Sequence, residues 1–359
     1  MRILAIETSC DETAVALLDI TGPLEKPEIK VLGNSLISQA KLHEEYGGVY
    51  PNLAKREHQK NLPILLEQTL KEAGYELTHD GRLTTNDIDF ITVTVGPGLE
   101  PALWTGITFA EELGKKWGKP VVPVNHMEGH IFSVLYHQKQ KFELPALALL
   151  VSGGHTELVH IRGFGDYKIV GRTLDDAVGE AFDKVARMIG LSYPGGPKVS
   201  ALAEAHRESG LVSSFKLPRP MLHSGNLDFS FSGLKTAVLY KIRAQENITD
   251  EFKSEIAREF EDSAVEVLVD KSRKALESIG DIKTFILAGG VSANTYLGQK
   301  VSELAKEFPE LNLCIPERDL STDNAIMIAI AGYVRVQSDP TILSYPQPLL
   351  AQGNLSLDL

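Results

Sequence analysis

The chain has 359 residues and a mass of 39.3 kDa, which fits two domains of ordinary size. Hydrophobic residues make up 43% of it and charged residues 23%, which excludes a disordered or collagen-like chain. The 36 Lys and Arg residues against 48 Asp and Glu residues give a net charge of −12, so binding to RNA or to an anionic membrane needs a local basic patch.

The first predicted elements are two short strands joined by polar residues. The apolar run Ile3–Glu7 indicates a buried strand, the polar tip TSCDET follows it, and AVALLD indicates a second strand. The same pattern returns in LPALALLV, the tip SGGHT and ELVHI. We interpret the repetition as a duplicated α/β domain with a cleft between the halves, with two unrelated hairpins as the alternative.

Amphipathic helices follow the strands. Apolar stripes at Leu62–Leu70 and Leu103–Trp117 predict helices in the first half, and a stripe at Phe252–Leu268 predicts a long helix in the second. The segment FILAGGVSANTYL predicts a buried strand that ends at Gly289-Gly290 and opens a helix, a turn where backbone N–H groups can meet a ligand. We expect the residues beyond Asp339 to form a surface extension.

The segment HMEGH places two histidines, His126 and His130, four residues apart. These positions are neighbours on a helix, so the two rings can hold one metal ion, although two unrelated histidines are the alternative. The segment resembles the zinc-peptidase motif only superficially, because Glu128 stands two residues after His126 and points away from the histidine face. A third ligand must come from elsewhere. Asp323 in STDNA, at the start of a buried helix, is the candidate, against the simpler role of complementing the helix dipole.

Three further segments mix polar and apolar residues. In DDAVGEAFDKVARMIG, the acids Asp175, Asp176, Glu180 and Asp183 are expected to be mostly solvated. YPGGP is a rigid loop with two glycines that suits close approach to a flat ligand. DFSFSGLKTA alternates like a strand before a helix, and its serines can be structural alone.

The chain has two cysteines, Cys10 and Cys314, which excludes a disulfide framework and favours a reducing cytosol. The longest apolar run, Ala325 to Val334, is about half of what a membrane span needs. Glu7 interrupts the apolar N-terminus in a way that a signal peptide does not tolerate. We therefore expect a cytoplasmic protein.

Taken together, the motifs resemble the tRNA N6-adenosine threonylcarbamoyltransferase family of the actin–Hsp70–sugar kinase (ASKHA) fold superfamily. The matching segments run in order from residue 6 to about 333: IETSCDET, VGPGL, HMEGH, LLVSGGHTEL, DDAVGEAFDKVARMIGL, YPGGP, DFSFSGLKTA, GGVSAN and STDNA. Leu150 before VSGG resembles the bacterial TsaD branch, since other branches carry a tyrosine there. The resemblance implies an α/β, two-domain duplicated ASKHA fold with a central interdomain cleft. Its implied domains are residues 1–133 with 323–345 and residues 134–322, followed by a C-terminal tail, 346–359.

The resemblance also implies the site. It places the metal ligands at His126, His130 and Asp323, with one transition metal ion, Fe²⁺ or Zn²⁺, per subunit. It places the acidic pair that relatives need for activity at Asp11 and Glu12. The implied contacts to the nucleotide and threonylcarbamoyl groups are Leu150, Val151, Ser152, Gly153, Gly154, Asp183, Gly196 and Asn294. The chain departs from many relatives at Ser200, where they carry an acid that contacts ribose, and at Ser321, where they carry a cysteine that is not a ligand.

The implied reaction transfers the threonylcarbamoyl group from threonylcarbamoyl-AMP to N6 of adenosine 37 in tRNAs that read codons beginning with A, giving t6A37 and AMP. The implied partners are the tRNA anticodon loop, a degenerate paralogue (TsaB-like) and a small P-loop ATPase (TsaE-like). The resemblance implies no binding to a membrane. Leu62–Leu70 is a candidate docking face, with a core role as the alternative. Candidate RNA-facing cations are Lys55, Arg56, Lys60, Lys184, Arg187, Lys216 and Arg219.

Two other functions stay open at this point. An ATP-dependent small-molecule kinase of the same superfamily would need a Mg²⁺ site, and Mg²⁺ prefers oxygen ligands to the two histidines. A non-enzymatic, nucleotide-gated scaffold would not need a buried centre of two histidines and an acid. Metal analysis of the purified protein separates the three hypotheses.

Overall fold

The structure, a computed structural model, describes residues 1–84, 87–137, 141–345 and 347–358. The chain divides into two compact units. The first comprises residues 1–142, 163–166 and 316–359, and the second comprises residues 143–162 and 167–315. In the part of the chain that is described, no helix is long and apolar enough to cross a membrane.

Five strands form the sheet of the first unit in the order β3-β2-β1-β4-β5. The hairpin strand β2 pairs antiparallel with β1 and β3, whereas β4 pairs parallel with β1 and with β5. Their bounds are β1 (Arg2–Glu7), β2 (Glu12–Thr21), β3 (Glu28–Ser38), β4 (Phe90–Gly96) and β5 (Val121–Asn125).

The sheet of the second unit repeats this order as β8-β7-β6-β9-β10. Strand β6 pairs antiparallel with the next strand, β7, and parallel with β9, as β1 does with its neighbours. The bounds are β6 (Ala146–Val151), β7 (Thr156–Gly163), β8 (Asp166–Arg172), β9 (Thr284–Ala288) and β10 (Asn312–Cys314). The shared order confirms that the two predicted hairpins belong to a duplicated α/β fold.

The helices pack on these sheets. Those of the first unit are α1 (Ala40–Glu44), α2 (Pro51–Glu72), α3 (Glu100–Trp117), α4 (His126–Phe132), α10 (Arg318–Ser321) and α11 (Ala325–Ser338). Those of the second are α5 (Val178–Met188), α6 (Gly196–Glu208), α7 (Ser232–Arg243), α8 (Asp250–Ile279) and α9 (Thr295–Ala305). Short 3₁₀ turns span Ser133–Leu135, Gly290–Ala293 and Pro340–Leu343.

The Leu62–Leu70 stripe of α2 belongs to the core of the first unit. Leu62, Leu65 and Leu70 are each 1% exposed and pack with apolar residues of the sheet and of α3. Burial of such side chains stabilises a fold by about 1.5–3 kcal/mol each. The interpretation of this stripe as a docking face is therefore wrong, and the core role is correct.

The C-terminal residues pack against the first unit, which differs from the surface extension expected from their polar composition. Gln352 donates its backbone N–H to Val95 O at 2.8 Å, and Gly98 donates to Gly353 O at 3.1 Å. Leu355 packs against the hydrophobic core of this unit. Gly96 permits this approach, because a Cβ there would lie 2.1 Å from Gln352 O.

Candidate functional site

Two helix starts bring the three predicted metal ligands together in the first unit. Helix α4 begins at His126, and Asn125 caps it by accepting a hydrogen bond from Met127 N at 2.8 Å. Asp323 lies just before α11, which Asn324 caps in the same way. The Nε2 atoms of His126 and His130 each lie 3.2 Å from Asp323 Oδ1. Three ligand atoms, one from each residue, lie within 4.8 Å of one another.

The surroundings of these three residues fit a transition metal ion. The side chains of His126 and His130 are 7% and 1% exposed, and that of Asp323 is 21% exposed. Among the described residues, the buried Nδ1 atom of His130 has no hydrogen-bond partner. Two imidazole nitrogens and one carboxylate oxygen that converge at low exposure are ligands that both iron and zinc accept, and three ligands leave coordination positions open for substrate.

Glu7 supplies the second partner of His126. Its Oε2 atom lies 3.1 Å from His126 Nδ1, and its carboxylate also accepts from Ser9 N and from Thr94 Oγ1, each at 2.5 Å. Glu7 is completely buried at the end of β1. Metal-ligating histidines commonly donate their other ring nitrogen to a carboxylate in this way. The sequence analysis did not identify this support, for which an acid at the end of a buried strand was the available signal.

The ring of His126 lies between two carboxylates, and the ring and each carboxylate shift each other's pKa. Burial lowers the pKa of a histidine, but Asp323 and Glu7 on its two sides raise the pKa of His126 well above its usual value. Burial lowers the pKa of His130. Burial raises the pKa of a carboxyl, but His126 more than offsets this effect and lowers the pKa of Glu7 and of Asp323. The nitrogen of His126 that faces Asp323 must release its proton to bind a metal, so metal affinity here is coupled to pH.

The predicted acidic pair lies in the same unit, at the tip between β1 and β2. Asp11 is 6% exposed, and Glu12 accepts a hydrogen bond from Ser38 Oγ at 3.0 Å. Burial, together with the negative charges of Asp323 and Asp11, raises the pKa of Glu12 to about 9. This raised pKa favours the protonated form of Glu12, in which the carboxyl group can donate a hydrogen bond.

Two buried residues that sequence reasoning missed hold the backbone of this tip. His58 Nε2 lies 3.0 Å from Cys10 O, and the backbone N–H of Gln39 donates to Asp11 O at 2.9 Å. His58 Nδ1 in turn lies 2.8 Å from Thr13 Oγ1. Hydrogen bonds at both ring nitrogens fix the ring of His58. The ring in turn holds the backbone of the tip that carries the acidic pair.

In the second unit, five of the predicted substrate residues, Leu150 to Gly154, lie at the end of β6. Leu150 and Val151 are 1% and 0% exposed, so the accessible members of this segment are Ser152, Gly153 and Gly154. A Cβ at Gly179 would lie 2.6 Å from Ser152 O, and one at Gly289 would lie 2.4 Å from Val151 O. Glycines at these positions let α5 and the Gly289-Gly290 turn contact the strand end directly.

Asp183 and Asn294 organise neighbouring backbone in this unit. One carboxylate oxygen of Asp183 accepts hydrogen bonds from Gly195 N at 2.8 Å and Gly196 N at 3.2 Å, which holds the first turn of α6. Asn294 caps α9 by accepting from Leu297 N at 2.8 Å. Both predicted residues therefore shape the loops around them.

Asp175 is exposed, as the sequence predicted for most of the acids in this segment, and its side chain joins two motifs. Its carboxylate accepts from the hydroxyls of Ser230 and Ser232, at 2.5 and 2.6 Å, and from Phe231 N at 2.8 Å. Burial alone would raise the pKa of Asp175, but these hydrogen bonds lower it. The serines of DFSFSG therefore have the structural role that the sequence left open.

Comparison with known proteins gives the family. A profile of the TsaD family, described as tRNA N6-adenosine threonylcarbamoyltransferase, matches residues 30–330. The curated tRNA N6-adenosine threonylcarbamoyltransferase of Herminiimonas arsenicoxydans is 47% identical over 95% of this chain and 93% of its own length. The chain belongs to the TsaD family. This membership confirms the resemblance and makes the chain an enzyme of this transferase class.

Solved structures support the fold. The crystal structure of HypF from T. kodakarensis matches with a TM-score of 0.59 at 11% identity, over 96% of this chain and 49% of that one. A full-length HypF structure matches with a TM-score of 0.55 at 12% identity, over 93% of this chain and 46% of that one. At these identities the likeness concerns the fold alone, and it agrees with the predicted ASKHA architecture.

Proposed function

We propose that this TsaD family member transfers the threonylcarbamoyl group from threonylcarbamoyl-AMP to N6 of adenosine 37 in tRNA. The observation that carries the proposal is the convergence of His126, His130 and Asp323 beside a buried acidic tip, in a chain 47% identical to a named transferase. The kinase and scaffold alternatives have no such support, because the ligand set includes two nitrogens and the relative is a transferase.

The reaction is difficult because the N6 amine of adenosine delocalises its lone pair into the ring. The nitrogen attacks the threonylcarbamoyl carbon, the bond from this carbon to the phosphate oxygen breaks, AMP leaves with the electron pair, and N6 loses a proton. His126, His130 and Asp323 would hold the metal ion, Fe²⁺ or Zn²⁺, and it would supply Lewis acidity toward an oxygen of the acyl or phosphate group.

The residues of the chain hold the reactants and the proton. We assign the phosphate to the Ser152–Gly154 tip, where the exposed backbone of Gly153 and Gly154 allows close approach of a ligand. We assign the ribose and adenine side to Gly196 and to the Asn294 turn. Asp11 orients the N6 amine or takes its proton, and the protonated Glu12 donates a hydrogen bond to developing charge.

RNA binding needs a local basic surface or the surface of a partner, because the net charge of the chain is −12. Lys184 forms ion pairs with Asp176 and Glu180 at 2.8 Å, and Arg219 pairs with Glu266 at 2.7 Å, so two of the predicted RNA-facing cations are engaged. We therefore propose weak, salt-dependent tRNA binding by the isolated chain. We propose stronger binding in a cytoplasmic assembly with a TsaB-like paralogue and a TsaE-like ATPase.

A transfer assay tests this function. The purified chain, with and without the two partners, is incubated with threonylcarbamoyl-AMP and an anticodon stem-loop RNA, and nucleosides are analysed by mass spectrometry. We expect t6A when position 37 is adenosine, because a base outside a duplex is accessible to a modifying site. We expect no product when it is guanosine, because guanosine has no N6 amine. Absence of transfer with both partners present, or modification that persists on the guanosine RNA, contradicts the proposal.

A further inference from the structure

Glu261 is a buried carboxylate of the second unit that belongs to none of the sequence motifs. It lies on α8 and is 0% exposed. Arg207 on α6 donates from Nη1 to its Oε2 atom at 2.6 Å. An unpaired carboxylate at such depth is costly, so Arg207 explains how the fold tolerates Glu261. It does not explain what the carboxylate does there.

The other oxygen of Glu261 contacts a predicted substrate residue. Asn294 donates one amide hydrogen to Glu261 Oε1 at 2.7 Å and the other to Ser200 Oγ at 2.8 Å. Its Oδ1 atom accepts from Leu297 N at 2.8 Å. Both donors of this amide are therefore committed inside the protein. The amide cannot flip, because its oxygen would then face a carboxylate.

Arg207 is held as firmly as the carboxylate it pairs with. Its Nη2 atom donates to Asp262 Oδ1 at 2.5 Å, and its guanidinium lies 3.6 Å from the centre of the Tyr296 ring. Tyr296 stands two residues after Asn294, in the first turn of α9. The ion pair and the stacked ring thus clamp the start of this helix from α6 and α8, so Glu261 has one fixed position.

We propose that Glu261 is a positioning residue for the nucleotide part of the substrate. It fixes Asn294, and Asn294 in turn fixes Ser200, whose oxygen accepts the amide and whose own hydrogen is left to donate to an acceptor atom of AMP. This inference rests on the proposed function, in which the Asn294 turn faces the nucleotide. The contact from position 200 is then a hydroxyl donor, and Asn294 acts as a support.

Titration calorimetry with AMP as the probe tests this role. Glu261→Gln replaces one acceptor oxygen by an NH₂ group, so it cannot accept from both Arg207 and Asn294. We expect its affinity for AMP to fall by about tenfold, the effect of one lost charge-assisted hydrogen bond. Glu259→Gln is the matched control. Glu259 lies on the same helix and is 2% exposed, but its nearest cations are Lys216 and Arg219, each at 3.9 Å. We expect this control to bind AMP within about twofold of the wild type, even if its melting temperature falls as far as that of Glu261→Gln.

A reciprocal exchange separates positioning from general stability. Asn294→Asp places two carboxylates together, and we expect it to weaken AMP binding by about 100-fold. In the double variant Asn294→Asp/Glu261→Gln, the amide at 261 donates to the acid at 294, which still caps α9. In this variant the acid at 294 accepts the hydroxyl hydrogen of Ser200, which is then not available to AMP. We expect the double variant to regain the unfolding free energy that Asn294→Asp loses, but to bind AMP at least about tenfold more weakly than the wild type.

Each outcome bears on the inference. A folded Glu261→Gln variant with wild-type AMP affinity overturns it, and so does a double variant that binds AMP as tightly as the wild type. If Glu261→Gln does not fold, the double variant decides alone. If the wild-type chain performs the transfer but Glu261→Gln leaves its AMP affinity unchanged, this inference is overturned and the proposed function stands. A wild-type chain that neither binds AMP nor performs the transfer overturns both.

Discussion

A single buried carboxylate, that of Glu7, fixes how His126 presents its Nε2 atom. Because Nδ1 of His126 lies 3.1 Å from Glu7 Oε2, the ring cannot rotate or exchange its tautomer without losing this bond. Asp323 lies on the opposite edge of the same ring, 3.2 Å from Nε2. One imidazole therefore links an inner carboxylate to the candidate metal position.

Removal of the charge of Glu7 tests this link. We expect Glu7→Gln to lower affinity for Zn²⁺ by about 10- to 100-fold, measured by competition with a chelator. Glu128→Gln is the control, because Glu128 is also buried on the ligand helix but lies beside Arg335, at 3.9 Å. Wild-type zinc affinity in a folded Glu7→Gln variant would show that this carboxylate does not support the site.

At the scale of single residues, the sequence predicts ligands better than their supports. His126 and His130 were predictable because helical spacing places them on one face, and Asp323 because it precedes a helix start. Glu7 and Glu261 were not, because the partners of each carboxylate are distant in sequence. Glu261 stands beside two other acids, Glu259 and Asp262, and nothing in the residue types distinguishes it from them. Glu7 and His126 are separated by 119 positions, and no local pattern joins them.

At the scale of elements, glycines at helix starts set the distance between α5 and the strand end. A Cβ at Gly179 would lie 2.6 Å from Ser152 O and 2.9 Å from Gly153 Cα. Added bulk there must move the Ser152–Gly154 tip. The motif predicted a helix here, but this close contact depends on how α5 packs, which a pattern of residue types does not contain.

Gly179→Ala tests this contact. We expect about tenfold weaker transfer activity, because a displaced phosphate-binding tip loses hydrogen-bond geometry. Gly298→Ala is the matched control, since Gly298 lies in α9 and a Cβ there meets no atom within 4 Å. It should stabilise the helix by up to about 1 kcal/mol and leave the transfer unchanged. Equal activity of the two variants would rule out the contact as a constraint.

Asp175 connects the segment before α5 to the start of α7. Its hydrogen bonds lead us to expect that stability depends on pH. Because hydrogen bonds lower its pKa, its contribution to stability is present above its unfolded pKa and is lost as pH falls through the folded value. We expect Asp175→Asn to cost about 1–2 kcal/mol in urea unfolding at pH 7. This difference should shrink below about pH 4. A difference that is independent of pH would assign the loss to packing.

At the scale of the whole molecule, the duplicated fold was predictable because each hairpin is local in sequence and the pattern occurs twice. The packing of the C-terminal residues was not, because their Pro- and Gln-containing sequence has no period that marks a buried element. Leu349, Ala351 and Leu355 nevertheless pack against the core of the first unit. They do so because the VGPGL turn offers backbone partners to an extended segment.

Removal of residues 347–359 tests this packing. We expect the shortened chain to lose about 2–4 kcal/mol of unfolding free energy, because the apolar core surface that Leu349 and Leu355 cover becomes exposed. The midpoint of urea unfolding measures the change. Substitution of the exposed Tyr345 by serine is the control, since this side chain is 69% exposed and should affect the midpoint little. An unchanged midpoint in the shortened chain would mean that the tail adds no stability.

The central claim is that the two histidines and the acid form the metal centre of this transferase. The most direct measurement is elemental analysis of the wild type and of His126→Ala, His130→Ala and Asp323→Ala, each purified folded and assayed for transfer. The predicted result is about one iron or zinc per wild-type chain, with metal and transfer lost together in each variant, because two ligands cannot retain the ion. Full metal content in all three variants, or full transfer without metal, would contradict it.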